Sequence, residues 1–124
     1  MFQKAEFHKK SWGHELWIHN DNLYCGKLLY FEEGKACSLH YHKLKTETFY
    51  LESGLMECRF FDIKDVDAEL KNVRGLWTVM EPGDVKEIHP GLVHQMRAIT
   101  GPARLFEFST QHFDDDSYRL IKGD

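Results

Sequence analysis

Hydrophobic and polar residues alternate along most of this chain, and an alternation with a period of two predicts β-strands. Short turns such as Asn20-Asp21-Asn22, Ser53-Gly54 and Pro82-Gly83 separate the alternating runs, and their residue types interrupt strands. The predicted strands cover residues 16–18, 23–31, 36–42, 47–51, 55–61, 76–80, 85–88, 94–99 and 103–109. The pattern therefore predicts an all-β protein.

The rest of the chain lacks a clear strand pattern. Residues 1–14 are polar with interspersed aromatic side chains and predict an N-terminal arm or a leading edge strand. Residues 62–75 are charged and short of large apolar side chains, which predicts an exposed loop. Aspartates at positions 114–116 favour the start of a helix, so we expect a short C-terminal helix or tail. A chain of 124 residues suffices for one core, and we expect a single domain over residues 1–124.

The composition narrows the classes of partner. Aromatic residues make up 14% of the chain, which suits β-structure, and the formal net charge of −4 argues against a nucleic-acid partner. No apolar run approaches the roughly 18 residues of a membrane span, so no membrane partner is expected. The three cysteines, Cys25, Cys37 and Cys58, are odd in number and widely spaced. They predict reduced thiols in a cytoplasmic protein.

One stretch combines residue types that bind metals. His40 and His42 lie two residues apart, and on a strand such residues project from the same face. A turn at residues 43–45 can bring Glu47 back to the same point. Two imidazoles and a carboxylate suit a divalent transition metal, and His94 in a second glycine-rich segment offers a fourth ligand. We therefore predict a metal site made by His40, His42, Glu47 and His94.

The spacing of this stretch resembles the first sequence motif of the cupins. The positions that match are Gly34, His40, His42, Glu47 and Gly54. The second cupin motif is matched at Gly83, Gly91 and His94, whereas His89 replaces its proline and Ala98 replaces its asparagine. The resemblance covers most of the chain. It implies a double-stranded β-helix, the jelly-roll cupin barrel, in which residues 62–75 form the loop between the two motifs.

Among the cupins, the chain resembles the mannose-6-phosphate isomerases at Trp12-Gly13 and in its tail from residue 107 to residue 124. An aromatic plug over one end of the barrel is the favoured role for Trp12, and contact with the substrate is the alternative. Three histidines and one carboxylate leave one or two metal positions open to substrate or water, which is typical of a catalytic site. Zn, Mn, Fe, Ni and Co all suit such ligands. The resemblance implies metal-dependent aldose–ketose isomerisation of a sugar or sugar phosphate.

Four further residues are candidates for contact with the substrate. Lys27 lies on a strand face that also carries apolar residues, and an inward lysine needs water, a carboxylate or an anionic ligand. A lysine that snorkels at the barrel mouth explains the pattern equally well. We predict Lys27 and Glu107 as the catalytic acid–base or sugar-binding groups. Arg119 is the predicted phosphate contact, and His89, placed near the barrel mouth, is a predicted substrate contact.

Other activities share the predicted ligand set. An iron-dependent dioxygenase and a non-catalytic metal- or carbohydrate-binding cupin are the alternatives, although the polar candidates favour a sugar-like small molecule as the partner. Members of the family that this chain resembles often form dimers through sheet edges and N-terminal arms. Residues 1–14, with Phe2, Phe7 and Trp12, therefore predict a homodimer formed by strand addition.

Overall fold

The computed structural model describes residues 1–73 and 76–124, and strands dominate this part of the chain. The strands are β1 (Glu6–Lys10), β2 (Gly13–Asn20), β3 (Cys25–Phe31), β4 (Leu39–Tyr41), β5 (Glu47–Ser53), β6 (Met56–Asp62), β7 (Thr78–Met80), β8 (Val85–Ile88), β9 (Leu92–Ala98), β10 (Ala103–Ser109) and β11 (Tyr118–Ile121). The all-β prediction is confirmed. Across residues 1–73 and 76–124, no helix is long and apolar enough to cross a membrane.

The strands form two antiparallel sheets that pack face to face. A six-stranded sheet has the order β1-β2-β3-β10-β5-β8, and a five-stranded sheet has the order β11-β4-β9-β6-β7. Strands that are distant in sequence are neighbours in both sheets, as in β3 beside β10 and β4 beside β9. This is the predicted jelly-roll arrangement, with the inner faces of the two sheets enclosing one interior.

The apolar core fills part of this interior. Phe31, Leu51 and Leu105 from the larger sheet pack with Met56 and Met96 from the smaller one, and all five are essentially inaccessible to solvent. Apolar and charged residues occur on both faces of residues 103–109, so the alternation alone does not identify the inner face of β10. Leu105 and Glu107 face inward while Phe108 is exposed, so β10 buries a carboxylate. A buried carboxylate requires compensating charges, and the ammonium of Lys45 lies beside the carboxylate of Glu107 in the same interior.

Both chain ends are built into the sheets. Residues 6–10 form the outer strand of the larger sheet and pair with β2, which agrees with the edge-strand alternative for the N-terminal segment. The described residues do not contain the C-terminal helix that was predicted as one alternative for the tail. Asp114–Asp116 form a single 3-10 turn, and Tyr118–Ile121 then pair with β4 as strand β11. Strand pairing with β4 satisfies the backbone of this segment and outweighs the preference of aspartates for a helix start.

The loop after β6 is less exposed than the sequence predicted. It contains two short 3-10 turns, at Ile63–Asp65 and Lys71–Val73. Val73 is fully buried against Leu39 and Val93, and other apolar side chains of the loop pack against the same cluster. These side chains anchor the charged loop to the outer side of the smaller sheet. Residues 74–75 of the predicted loop lie outside the described residues.

Candidate metal centre

Three histidines converge between the two sheets, next to the apolar core, where the ring of His94 lies 5.9 Å from that of Phe49. His40 on β4 is the direct cross-strand partner of His94 on β9, and His42 follows the end of β4. The ligand nitrogens of these three residues lie within 4.8 Å of one another. Glu47, the first residue of β5, comes from the opposite sheet. Its Oε1 atom lies 3.4 Å from His42 Nε2 and 3.2 Å from His94 Nε2.

Backbone carbonyls fix the orientation of all three imidazole rings. The Nδ1–carbonyl distances are 2.9 Å from His40 to Ser38, 2.6 Å from His42 to Asp116 and 2.9 Å from His94 to Leu92. A carbonyl can only accept a hydrogen bond, so each Nδ1 must donate. In a neutral imidazole the lone pair is then on Nε2, which is the nitrogen left to bind a metal. Such hydrogen bonds are a usual feature of histidines that ligate metals.

The ionisation states also suit a cation. Burial, reinforced by the neighbouring His94 and His42, lowers the pKa of His40 well below its usual value, so its imidazole is neutral. Burial alone raises the pKa of Glu47, but in the metal-free protein the side chains of His42 and His94, with a proton on Nε2, and the ammonium of Lys45 outweigh it. The pKa of Glu47 is therefore held well below its usual value, and the carboxylate is ionised.

Several buried polar atoms at this point have no hydrogen bond among the described residues. They are both carboxylate oxygens of Glu47 and the Nε2 atom of His94. Buried polar atoms are almost always paired, and a bound cation satisfies this group of acceptors together. The donor set of three imidazole nitrogens and one carboxylate therefore fits a divalent transition metal.

A cavity of about 150 Å³ opens beside these ligands. One wall carries a buried charge network in which Lys45 lies between two carboxylates. Its Nζ atom is 3.0 Å from Glu107 Oε2 and 3.4 Å from Glu47 Oε2. Burial lowers the pKa of Lys45, but the charges of Glu107 and Glu47 outweigh burial and raise it above its usual value. Burial and the charge of Glu47 raise the pKa of Glu107.

Lys27 completes this wall. It is the cross-strand neighbour of Glu107 and is only 2% exposed. Its ammonium lies 3.7 Å from Glu15 Oε1 and 4.4 Å from the centroid of the Trp17 ring. Lys27 thus points inward and borders the cavity, where a carboxylate and an aromatic face compensate its charge.

The other two predicted substrate contacts have different positions. Arg119 on β11 is the cross-strand partner of His40, and it borders the cavity from an exposed position at its rim. His89 does not border the cavity. It is exposed in the turn between β8 and β9, where its ring nitrogen bonds the carbonyl of Pro90. The replacement of the motif proline by histidine therefore affects a surface turn and not the cavity.

Three residues of the centre were not predicted from the sequence. Lys45 was assigned to a turn. It lies two residues before Glu47, however, and residues two apart along a strand face the same side, here the interior. His112 receives a hydrogen bond from Lys45 Nζ at 3.1 Å. Burial and the charges of Lys27 and Lys45 lower the pKa of His112 to about 4. Asp116 was assigned to a helix start, and no sequence signal connected it to the histidines.

Neither a protein-family model nor a curated protein matches this chain, but solved structures match its fold. CapF from Staphylococcus aureus, a capsular polysaccharide assembling protein, aligns with a TM-score of 0.77 and 17% identity over 94% of this chain and 34% of CapF. KdgF from a Halomonas species aligns with a TM-score of 0.70 and 14% identity over 89% of this chain and 91% of KdgF. An oxalate decarboxylase from Bacillus subtilis aligns with a TM-score of 0.74 and 17% identity over 94% of this chain and 30% of the decarboxylase.

The chain therefore spans about a third of CapF and of the decarboxylase, and nearly the whole of KdgF. The aligned regions have the same two-sheet barrel, in agreement with the motif spacing around His40, His42, Glu47 and His94. The chain has the cupin fold.

Proposed function

We propose that this protein is a metal-dependent enzyme that isomerises a sugar or sugar phosphate between its aldose and ketose forms. The observation that carries the proposal is the buried network of Lys27, Lys45 and Glu107 on the cavity wall next to the histidine cluster. Burying three ionisable side chains is costly, and perturbed ionisable groups in a cavity are typical of acid–base catalysis. An apolar substrate would make no use of them.

The metal site supplies the electrophilic part of the proposed reaction. His40, His42, Glu47 and His94 would hold one divalent ion, with Zn, Mn, Fe, Ni and Co as candidates. When bound, such an ion acts as a Lewis acid that polarises the carbonyl and the neighbouring hydroxyl of a sugar.

The chain's own residues would move the proton. In the aldose-to-ketose direction, Glu107 takes the proton from C2, and the electron pair of that C–H bond forms the C1=C2 bond of an enediol. The carbonyl oxygen on C1 receives a proton from the ammonium of Lys27. The hydroxyl on C2 then returns a proton to Lys27, and Glu107 delivers its proton to C1. The raised pKa of Glu107 brings it closer to the operating pH, which favours proton transfer in both directions.

The rim of the cavity suits an anionic group on the substrate. Arg119 and Lys10 both border the cavity, and a guanidinium matches the geometry of a phosphate with two parallel hydrogen bonds. We therefore include sugar phosphates in the proposed substrate class. The resemblance to mannose-6-phosphate isomerases in the sequence motifs supports the same class.

The test is an isomerisation assay in ²H₂O with protein loaded in turn with each of the five metals. Free aldoses and aldose phosphates are offered, and ¹H NMR follows both ketose formation and loss of the C2 proton signal. We expect turnover with at least one metal and a kcat about 10²–10⁴-fold lower in Glu107→Gln. Glu87→Gln, which changes an exposed glutamate on β8, is the matched control and should leave kcat unchanged.

Two outcomes would contradict the proposed activity. Oxygen consumption by the Fe²⁺-loaded protein, without exchange of the C2 proton, would identify a dioxygenase. Sugar binding without exchange or turnover under any metal would identify a binding module.

We also propose that the protein is a homodimer. Strand β1 is the outer strand of the larger sheet, and a strand edge can pair with a second copy. Phe2 and Phe7 on the N-terminal segment are 94% and 60% exposed, and a partner would cover them. Light scattering after gel filtration should give the dimer mass for the wild type and a lower mass for Phe7→Glu. A monomer mass for the wild type would contradict the proposal.

A cytoplasmic location is proposed from the cysteines. Cys25, Cys37 and Cys58 are free thiols, and burial raises the pKa of Cys58 to about 12, which makes it unreactive. Thiol titration of freshly isolated, denatured protein should find all three cysteines reduced. A disulfide in the isolated protein would contradict the location.

A further inference from the structure

The carboxylate of Asp116 is buried and accepts hydrogen bonds from the backbone amides of one short loop. The residue is 3% exposed. Its Oδ1 atom accepts a hydrogen bond from the amide of Lys43 at 2.8 Å, and its Oδ2 atom accepts one from the amide of Lys45 at 3.0 Å. The amide of Leu44 lies between them, at 3.1 Å from Oδ1 and 3.2 Å from Oδ2. Three consecutive amides thus surround one carboxylate, which forms a charge-assisted anion nest within the chain.

The loop that Asp116 binds is the connection between two metal ligands. Residues 43–46 join His42, which follows β4 of the smaller sheet, to Glu47, the first residue of β5 of the larger sheet. The distance between ligands on opposite sheets therefore depends on the conformation of these four residues. The same loop positions Lys45, whose ammonium approaches Glu47 from the cavity wall.

Asp116 also contacts one ligand directly through its backbone. Its carbonyl oxygen accepts the hydrogen bond from His42 Nδ1 at 2.6 Å. This bond determines which nitrogen of His42 carries the proton and leaves Nε2 free. The two contacts act together, because the side chain fixes the loop after His42 while the carbonyl fixes the ring of His42.

We propose that Asp116 is a positioning residue for the metal centre, which makes the C-terminal segment a structural part of the site. The carboxylate holds the loop between His42 and Glu47 in the conformation that brings both ligands to one point. A pre-formed loop avoids the loss of conformational entropy that ordering it on metal binding would cost. The inference rests on the metal site of the proposed function, and it does not depend on the reaction or on the substrate.

The test compares metal binding in the wild type, Asp116→Ala and Asp115→Ala. Asp115 lies in the same 3-10 turn but is exposed, so Asp115→Ala is the matched control. Co²⁺ is the probe, because its visible absorption bands report the ligand geometry as well as the binding isotherm. We expect Asp116→Ala to bind Co²⁺ about 10–100-fold more weakly than the wild type and to show altered band positions or intensities. The control should match the wild type in both readouts.

A loss of folding alone must be separated from a loss of positioning. Far-UV circular dichroism and a thermal melt of the metal-free proteins identify conditions in which each variant is folded, and binding is measured there. Asp116→Asn keeps the shape and one acceptor oxygen but lacks the charge, and it decides the question if Asp116→Ala does not fold. We expect Asp116→Asn to bind Co²⁺ several-fold more weakly, with a partial spectral change.

The experiment distinguishes the positioning role of Asp116 from the metal site itself. A folded Asp116 variant with wild-type Co²⁺ affinity and spectrum would overturn the positioning role and leave the metal site intact. A wild-type protein that does not bind Co²⁺ at all would overturn the metal site, and the positioning role with it.

Discussion

Replacement of Lys45 by methionine tests the buried charge network that lies between the proposed metal site and the proposed catalytic base. Methionine keeps the length and the apolar stem of lysine and removes the ammonium. In the metal-free protein, the change leaves Glu47 and Glu107 without their closest cation. Lys43→Met is the matched control, because Lys43 lies two residues away with an exposed side chain over the ring of Tyr118.

The size of the effect follows from the distances. The ammonium of Lys45 lies 3.0 Å from Glu107 and 3.4 Å from Glu47, and Coulomb attraction at an effective dielectric of about 20 is then roughly 5 kcal/mol for each pair. Removing Lys45 also removes the cost of burying its own charge, which is several kcal/mol. We expect the free energy of unfolding to fall by about 3–5 kcal/mol, as found when a buried ion loses its partner. The control should change it by less than about 1 kcal/mol.

The destabilisation should depend on pH. Burial and the charge of Glu47 raise the pKa of Glu107, and Lys45 opposes them, so the pKa of Glu107 rises further in Lys45→Met. Between the ordinary carboxyl pKa of 4.5 and this higher pKa of Glu107, the folded variant binds a proton that the unfolded chain has released. The free energy of unfolding must therefore fall as the pH rises through this interval. The variant should be less destabilised at pH 5 than at pH 8.

Urea unfolding of metal-free wild type, Lys45→Met and Lys43→Met, at several values between pH 5 and pH 8 with a chelator present, measures all of these quantities. A loss below about 1 kcal/mol in Lys45→Met, or a larger loss that does not change with pH, would refute the account of the charge network. The first result would mean that water screens the pair, and the second that the loss comes from packing.

Two further predictions concern stability. In the folded protein the pKa of His112 is lowered to about 4 from its ordinary value of 6.5. As the pH falls, the unfolded chain therefore binds a proton first, and the free energy of unfolding decreases between these two pH values. His112→Asn should reduce that loss in the metal-free protein by about 1–2 kcal/mol, after allowance for partial exposure; identical pH profiles of unfolding would contradict the assignment. Gly54→Ala should lower the free energy of unfolding by roughly 2–4 kcal/mol, because its φ is +89° and a Cβ there would lie 2.5 Å from the carbonyl oxygen of Pro102. Gly26→Ala, which meets no atom within 4 Å, is the control, and equal urea midpoints for the two variants would contradict the reasoning.

The sequence predicted the parts of this protein that depend on local pattern. Strand alternation is a local property, and it located strands β2 to β10, whereas it missed β11. The ligand spacing around His40, His42 and Glu47 is also local, because one strand, one turn and the start of the next strand determine it. His94 required the second motif, since only the cross-strand pairing of β4 and β9 brings it to His40.

The residues that were missed depend on contacts between distant segments. Asp116 meets the loop after His42 from more than seventy positions away, and three adjacent aspartates look alike until one of them is buried. Lys45 looks like a turn residue until Glu107, placed beside it by the pairing of β5 with β10, supplies its partner. The inner face of β10 could not be chosen from its own residues, because the compensating lysines lie on other segments.

The metal content of the protein tests the central claim most directly. The wild type, His40→Ala and His89→Ala are purified without a metal-chelating tag, offered Zn, Mn, Fe, Ni and Co in turn, and subjected to elemental analysis. His89 lies outside the cavity, so His89→Ala is the control for loss of a histidine. The account predicts about one equivalent of a transition metal in the wild type and the control, and a large loss in His40→Ala. No bound metal in the wild type, or equal metal in all three proteins, would contradict it.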